Sequence, residues 1–388
     1  MNGLLDFLQT TMYIEISDDL VRDAIDKSTQ TVNDSRDVLL LMAIAARSGK
    51  HIVSVPCLKE KAIVKALLEV IPKPYIEGLR RVESIHYILS SLKKELSNYA
   101  VLSYDRRPVN DSRAIIVNPQ KYKNFEAHVE TQLLTENLMD ASFFEYIIHY
   151  FMRMHQLQAR YCFHPLMGGG GTTADVLHKE IERGQYFCLV IVDSDRKTPD
   201  SDYGETATRV IQEMDGEKPF HCSLYIMKKV MEVENLIPIT VIKDTFGQRG
   251  DFDAYMMCPS FFDLKKGLTL DALYDDNVYD YWKNRFCDAQ TLFQQRNQAK
   301  TVANSRKQYR EYIENHDLKK VLKCGMGSDL LDCCVNTYSC KSNIDLQKLR
   351  HRLMNISTDD LTSCQKEEWE AIGKIAFSWT CALAPNRV

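Results

Sequence analysis

The chain reads as an α/β protein with a central, Rossmann-like parallel sheet flanked by mainly helical N- and C-terminal regions. Two observations predict this. Between about residue 121 and residue 245, short apolar runs alternate with stretches of helical periodicity, the order β-α-β-α-β-α-β that implies a parallel sheet with right-handed crossovers. One of those runs, Tyr186-Phe187-Cys188-Leu189-Val190-Ile191-Val192, is continuously apolar and β-branched at its end, as suits a central strand covered on both faces.

The other elements follow in order. The run ending Gln132-Leu133-Leu134-Thr135 reads as a strand and Ala141 to Met154 as a helix. Arg160 to Met167 reads as a second strand that runs into four glycines, followed by a helix over Thr173 to Arg183. After the central strand come a helix over Thr206 to Met214 and a strand over Cys222 to Met227. Residues 1–120 read as a mainly helical domain. Val38 to Ala46 is apolar nearly all round, and Ala62 to Val70 and Ile85 to Leu96 carry apolar residues at three and four spacing. Pro72 and Pro74 interrupt that region, and the polar stretch Tyr104 to Ser112 lies near its end. Residues 246–388 read as a mainly helical region, with long polar helices over Trp282 to Lys300 and Val302 to Ile313.

The chain has 388 residues, 45% hydrophobic and 26% charged, with a formal net charge of -4, so any nucleic-acid contact has to use a local patch. No stretch approaches the roughly 18 unbroken apolar residues a membrane helix needs. The opening MNGLLDFLQTTMYIEISDDL lacks the basic region of a signal peptide, so a reducing cytoplasm is the expected compartment. Twelve cysteines are scattered without a C-x-x-C pair. Cys57, Cys162, Cys188 and Cys222 sit in apolar runs, and Cys324, Cys333, Cys334 and Cys340 have no zinc-site spacing, so structural thiols are expected.

Function in such a sheet gathers at the carboxyl ends of the strands. Glu136 follows the strand ending in Thr135, and Asp193 and Asp195 follow the strand ending in Val192. In an extended chain, residues two apart point to one side, which would aim both aspartates at one place. Hard oxygen ligands gathered in this way suit Mg²⁺ or Mn²⁺, and a divalent cation relieves their mutual repulsion. Next to a phosphodiester, such an ion polarises a phosphoryl oxygen, lowers the pKa of an attacking water and neutralises the leaving oxygen. The bland alternative for Asp-x-Asp is a turn or a helix cap.

These motifs together resemble the Toprim domain of topoisomerases, bacterial primases and OLD-type nucleases. The matching segments are Leu133-Leu134-Thr135-Glu136-Asn137-Leu138-Met139-Asp140-Ala141, Met167-Gly168-Gly169-Gly170-Gly171 and Ile191-Val192-Asp193-Ser194-Asp195-Arg196. A fourth, Met231-Glu232-Val233-Glu234-Asn235-Leu236-Ile237-Pro238, is similar to the Glu-x-Glu-Asn segment of OLD-like Toprim proteins of bacterial phage defence. The resemblance covers roughly residues 125 to 240. It implies a Mg²⁺- or Mn²⁺-dependent nuclease, with Glu136 as metal ligand or general acid/base and Asp193 and Asp195 as metal ligands. Glu232 and Glu234 would supply or order a further metal position, and Asp140 would assist. It also implies an antiviral-defence effector acting on DNA or RNA beside a separate ATPase subunit, in an oligomer. Where the family usually has Glu-Gly, this chain has Glu136-Asn137; asparagine tolerates positive φ better than other non-glycine residues.

Several residues carry two readings. Gly168 to Gly171 either let backbone approach a phosphate or form a turn with Thr172 or Thr173 as N-cap. Arg196 and Lys197 are phosphate contacts or a solvated loop. Glu232 and Glu234 are site residues or an exposed pair before a turn closed by Asn235 and Pro238. The basic stretch over 296–323, with Arg296, Lys300, Arg306, Lys307, Arg310, Lys319, Lys320 and Lys323, either tracks a nucleic-acid backbone or is a solvated face. Within it, Arg310 and His316 have the R-x5-H spacing of HEPN ribonucleases, an alternative nuclease centre. A third reading keeps the Toprim fold as a non-catalytic assembly module. No Walker A motif is present, and neither a topoisomerase's separate tyrosine domain nor a primase's template apparatus is recognisable in this length.

Overall fold

The structure is a computed structural model. It describes residues 13–383 except 27, 29, 106–110, 123–124, 127–128, 216–218, 247–259, 286–289, 317, 319 and 336–345. Arg106 to Asn110 of the polar stretch, Lys319 and Cys340 therefore lie outside the described residues. The chain divides into two compact units. The first holds residues 1–192, 209–225 and 370–388; the second holds 193–208 and 226–369.

The first unit contains two parallel sheets. One is built from β1 (Tyr13–Ile16), β2 (Ile52–Ser54), β3 (Tyr99–Leu102) and β4 (Ala114–Val117), in the order β2-β1-β3-β4 with every pairing parallel. This sheet was not expected, although some of the helices around it were. The expected ones run over Val32–Ser48, Lys61–Leu67 and His86–Glu95; a further helix, Lys73–Glu83, was not expected, and Pro74, read as a break, sits in its first turn. The strands of this sheet are short, and β1, β2 and β3 are almost wholly buried, so they show no alternation to mark them as strands.

The second sheet is the predicted one. Its strands are β5 (Thr131–Thr135), β7 (Phe163–Met167), β8 (Cys188–Val192) and β9 (Cys222–Ile226), in the order β7-β5-β8-β9. A short β6 (Arg160–Tyr161) precedes β7, so the single expected strand over 160–167 is two pieces. β5 pairs in parallel with both neighbours, Leu133 lying opposite Pro165 and Leu189. All five residues of β8 are buried, as a doubly covered strand requires. Its lead-in residue Phe187 packs edge-on against Phe125 at 4.4 Å, and Trp379 approaches it at 6.2 Å between ring centroids. The flanking helices are Leu138–Met154 and Thr173–Arg183. Near the end of the chain, the Thr131 hydroxyl donates to the Trp379 carbonyl at 2.6 Å, and β12 (Cys381–Ala382) pairs antiparallel with β6.

The second unit carries helices over Ile239–Phe246, Asp276–Trp282, Gln290–Val302, Arg306–Asn315 and Leu346–Met354. It also holds an antiparallel pair, β10 (Gly267–Thr269) with β11 (Val321–Cys324). Among the described residues no helix is long and apolar enough to cross a membrane. Cys57, Cys188 and Cys222 are buried free thiols and Cys162 is a half-buried one; Cys333 differs from the expectation in being disulfide-bonded.

Candidate acidic centre

The segment Asp193–Asp195, directly after β8, and the segment Val230–Glu234, after β9, are stitched together by backbone. The amides of Ser194 and Asp195 both donate to the Met231 carbonyl, at 3.0 and 2.9 Å. The buried Ser194 hydroxyl donates to the Val230 carbonyl at 2.7 Å. The Val233 amide in turn donates to the Asp193 carboxylate at 2.9 Å. This stitching brings the Asp-x-Asp and Glu-x-Glu motifs to one place, although 36 residues separate Ser194 from Val230 in the chain. Carboxylate oxygens of Asp193, Glu232 and Glu234 lie within 4.8 Å of one another, an arrangement able to hold a metal ion.

Glu232 and Glu234 are not an exposed pair. They are 2% and 5% exposed. Asn235, fully buried, accepts the Glu232 amide at 3.0 Å and donates to the Phe262 carbonyl at 2.9 Å. Gln365 donates to the carbonyls of Asn235 and Ile237, and the Trp369 indole N–H donates to that of Leu236 at 3.0 Å. The buried Glu368 carboxylate accepts the amides of Lys228 and Lys229. These contacts fix the Glu-x-Glu segment from the start of the Ser363–Thr380 helix, a brace that no motif announced.

Sequence reading also missed Lys265. Its ammonium lies 2.9 Å from Glu232 Oε2 and 3.3 Å from Glu234 Oε2. Burial works against the charged lysine, but Glu234, then Glu232 and Asp193, hold its pKa above the ordinary value. One ammonium does not balance three carboxylates. Burial first, and the neighbouring Glu234 second, push the Glu232 carboxyl up to about 8 against the pull of Lys265. Glu232 Oε1 is buried without a hydrogen-bond partner. Buried oxygen donors in excess of their counter-charge are the donor chemistry that suits a hard divalent cation, so these residues fit the ion the sequence led us to expect.

Asp195 departs from the expectation. Its φ is +52°, so the chain is not extended there, and its carboxylate does not join the cluster. It lines a cavity of about 440 Å³ with Lys197, Met231, Phe261 and Lys266, and burial raises its pKa while Lys265 and Lys266 oppose the rise. The turn depends on Gly204. That amide donates to the Ser194 carbonyl at 2.9 Å, and a Cβ at Gly204 would sit 2.3 Å from that of Asp195. Arg196 is spent inside the same loop, donating to the Ser201 carbonyl at 2.9 Å and lying over the Tyr203 ring. Lys197 is exposed.

Glu136 and the glycine run lie in the first unit and belong together there. Gly169 donates its amide to the Glu136 carbonyl at 2.9 Å, and a Cβ at Gly170 would lie 3.8 Å from Glu136 Oε2. Gly169 and Gly170 have φ of +77° and +61°, and a Cβ at Gly168 would strike Thr173. Thr172 is the N-cap of the following helix but makes no side-chain cap bond; its hydroxyl and that of Thr173 donate back to the carbonyls of Gly168 and Gly170. Arg209 holds the run's far end through the Gly171 carbonyl and the Asp175 carboxylate. Asn137 has an extended φ of -132°, not the positive one allowed for it, and serves as N-cap to the 138–154 helix. Asp140 completes that capping box by accepting the Asn137 amide at 2.8 Å, a structural role the sequence reading did not name.

Several cations of the basic stretch are held in ion pairs. Arg306 and Arg310 pair with Asp271, Arg296 with Asp276, and Lys320 with Glu314. The His316 ring stacks on Tyr312 with centroids 3.9 Å apart, its Nδ1 3.0 Å from that residue's carbonyl oxygen. The HEPN-type spacing is thus occupied by an ion pair and a helix-end contact. Comparison with family models, with curated proteins and with solved structures returns no match for this chain.

Proposed function

We propose that the chain is a Mg²⁺- or Mn²⁺-dependent nuclease of Toprim type that cuts phosphodiester bonds of DNA or RNA, with Asp193, Glu232 and Glu234 as its metal ligands. The observation that supports this reading best is the convergence of those three carboxylates within 4.8 Å, two of them deeply buried and one, Glu232, with its pKa raised by that burial and by Glu234. A divalent ion held there would polarise a phosphoryl oxygen and lower the pKa of a bound water.

The chain's own residues do the rest. Asn235 and Ser194 fix the carboxylates through the backbone, so the ligands do not reorganise when charge arrives. Lys265, Lys266 and Lys197 supply positive charge for a phosphate approaching the same side. Glu136 keeps the general acid/base role that the resemblance gives it. Continuing the resemblance, we place the protein in bacterial antiviral defence in the cytoplasm, beside a separate ATPase subunit.

The test is cleavage of plasmid, single-stranded DNA and total RNA with Mg²⁺, Mn²⁺ or EDTA. Metal-dependent cutting that is lost in Glu232→Gln and in Glu136→Ala supports the reading. Cutting that persists in EDTA, or is unchanged in both variants, overturns it.

A further inference from the structure

Lys265 stands where a cation is wanted. It reaches two of the three carboxylates of the acidic centre, and its side chain keeps 30% of its surface exposed. Its anchor is backbone rather than side chain. The Met326 and Gly327 amides donate to the carbonyls of Leu264 and Lys265, and the Gly267 amide donates to that of Asp263. Retracting the ammonium would break its two ion pairs and leave these main-chain bonds in place. Asp193 accepts the Val233 amide, and Glu232 Oε1 is buried without a hydrogen-bond partner.

We propose that Lys265 is a resident counter-ion that competes with the divalent metal for Glu232 and Glu234, so that metal binding expels its ammonium from the acidic centre. This rests on the metal-site reading above and adds a regulatory consequence to it. The site keeps its fold without metal, because a covalently tethered cation takes part of the ion's place. Metal affinity is lowered by the competition, and the expelled ammonium becomes available to a substrate phosphate. Two cations that exclude each other are coupled reciprocally, with factors that commonly run from about 5 to about 150. Removing the lysine charge should therefore tighten metal binding about tenfold or more.

Two measurements test this on the full chain. The first is Mn²⁺ affinity, followed by the loss of the free-ion paramagnetic resonance signal, for the wild type, Lys265→Met and Glu232→Gln. Tighter binding by Lys265→Met, with binding abolished in Glu232→Gln, supports the proposal. Equal or weaker binding by a folded Lys265→Met, while the wild type binds and Glu232→Gln does not, overturns the competition and leaves the metal site standing. No binding by the wild type or by Lys265→Met overturns both. The second needs no variant. Amine-specific methylation of the wild type, read by peptide mass spectrometry, should modify Lys265 several times faster with saturating Mn²⁺ than with EDTA, while the exposed Lys73, paired with Glu77 in the first unit, keeps its rate. An unchanged or slower rate at Lys265 contradicts expulsion even if Lys265→Met fails to fold.

Discussion

Replacing Glu232 with glutamine should stabilise the metal-free protein, and more so as the pH rises. Glu232 is 2% exposed and its carboxyl is pushed up to about 8, from an ordinary 4.5. A carboxyl whose folded pKa is raised gives stability that is full below about pH 4.5 and is lost as the pH climbs through about 8. At 1.36 kcal/mol per pH unit, the whole loss is about 5 kcal/mol, of which roughly 3 kcal/mol has already gone at about pH 7. Glutamine has the shape of the protonated acid and never ionises, so the variant avoids this loss. The expected gain over wild type is under about 1 kcal/mol near pH 5, roughly 3 near pH 7 and roughly 5 near pH 9. For a unit of this size each kcal/mol moves Tm by about 2–4 °C, so the difference near pH 7 is about 6–12 °C. Thermal unfolding in EDTA at three pH values reads it directly. The reasoning is refuted if Glu232→Gln lowers Tm equally at all three, since that is the signature of lost packing rather than of removed charge.

Other substitutions probe the surroundings of the site. Gly204→Ala places a Cβ 2.3 Å from that of Asp195 and should cost about 1–3 kcal/mol in urea unfolding, with loss of cleavage if the loop shifts. Trp369→Phe strands the buried Leu236 carbonyl and should cost about 1–3 kcal/mol, measured in the same way. His316→Ala should leave cleavage unchanged, because that ring packs on its own helix and Arg310 is held by Asp271; a large loss would revive the HEPN-type centre.

How much of this the sequence disclosed follows from the range of each interaction. β5, β8 and β9 were legible because a buried central strand is a local pattern, a run of apolar and β-branched residues between turn signals. β1 to β4 were not, because strands of three or four residues, apolar on both faces, look like fragments of the helices beside them. The acidic centre was legible in part. Asp193, Glu232 and Glu234 stood at strand ends where function gathers, and the structure brings these three together. Asp195 was misplaced because the extended-chain rule fails at a residue with positive φ, and the clue was Gly204, whose missing side chain lets the loop close on it. The capping role of Asp140 was overlooked, although an acid at the third position of a helix is a natural cap partner. Lys265 had no signal at all: it lies about thirty residues beyond its partners, and only the fold makes the contact.

The most direct test of the acidic centre is anomalous diffraction from crystals grown with Mn²⁺. The account predicts a single strong peak within roughly 2.0–2.6 Å of carboxylate oxygens of Asp193, Glu232 and Glu234, with the Lys265 ammonium moved off both glutamates. A structure at saturating Mn²⁺ in which Lys265 still bridges Glu232 and Glu234, with no peak among the three acids, would contradict it.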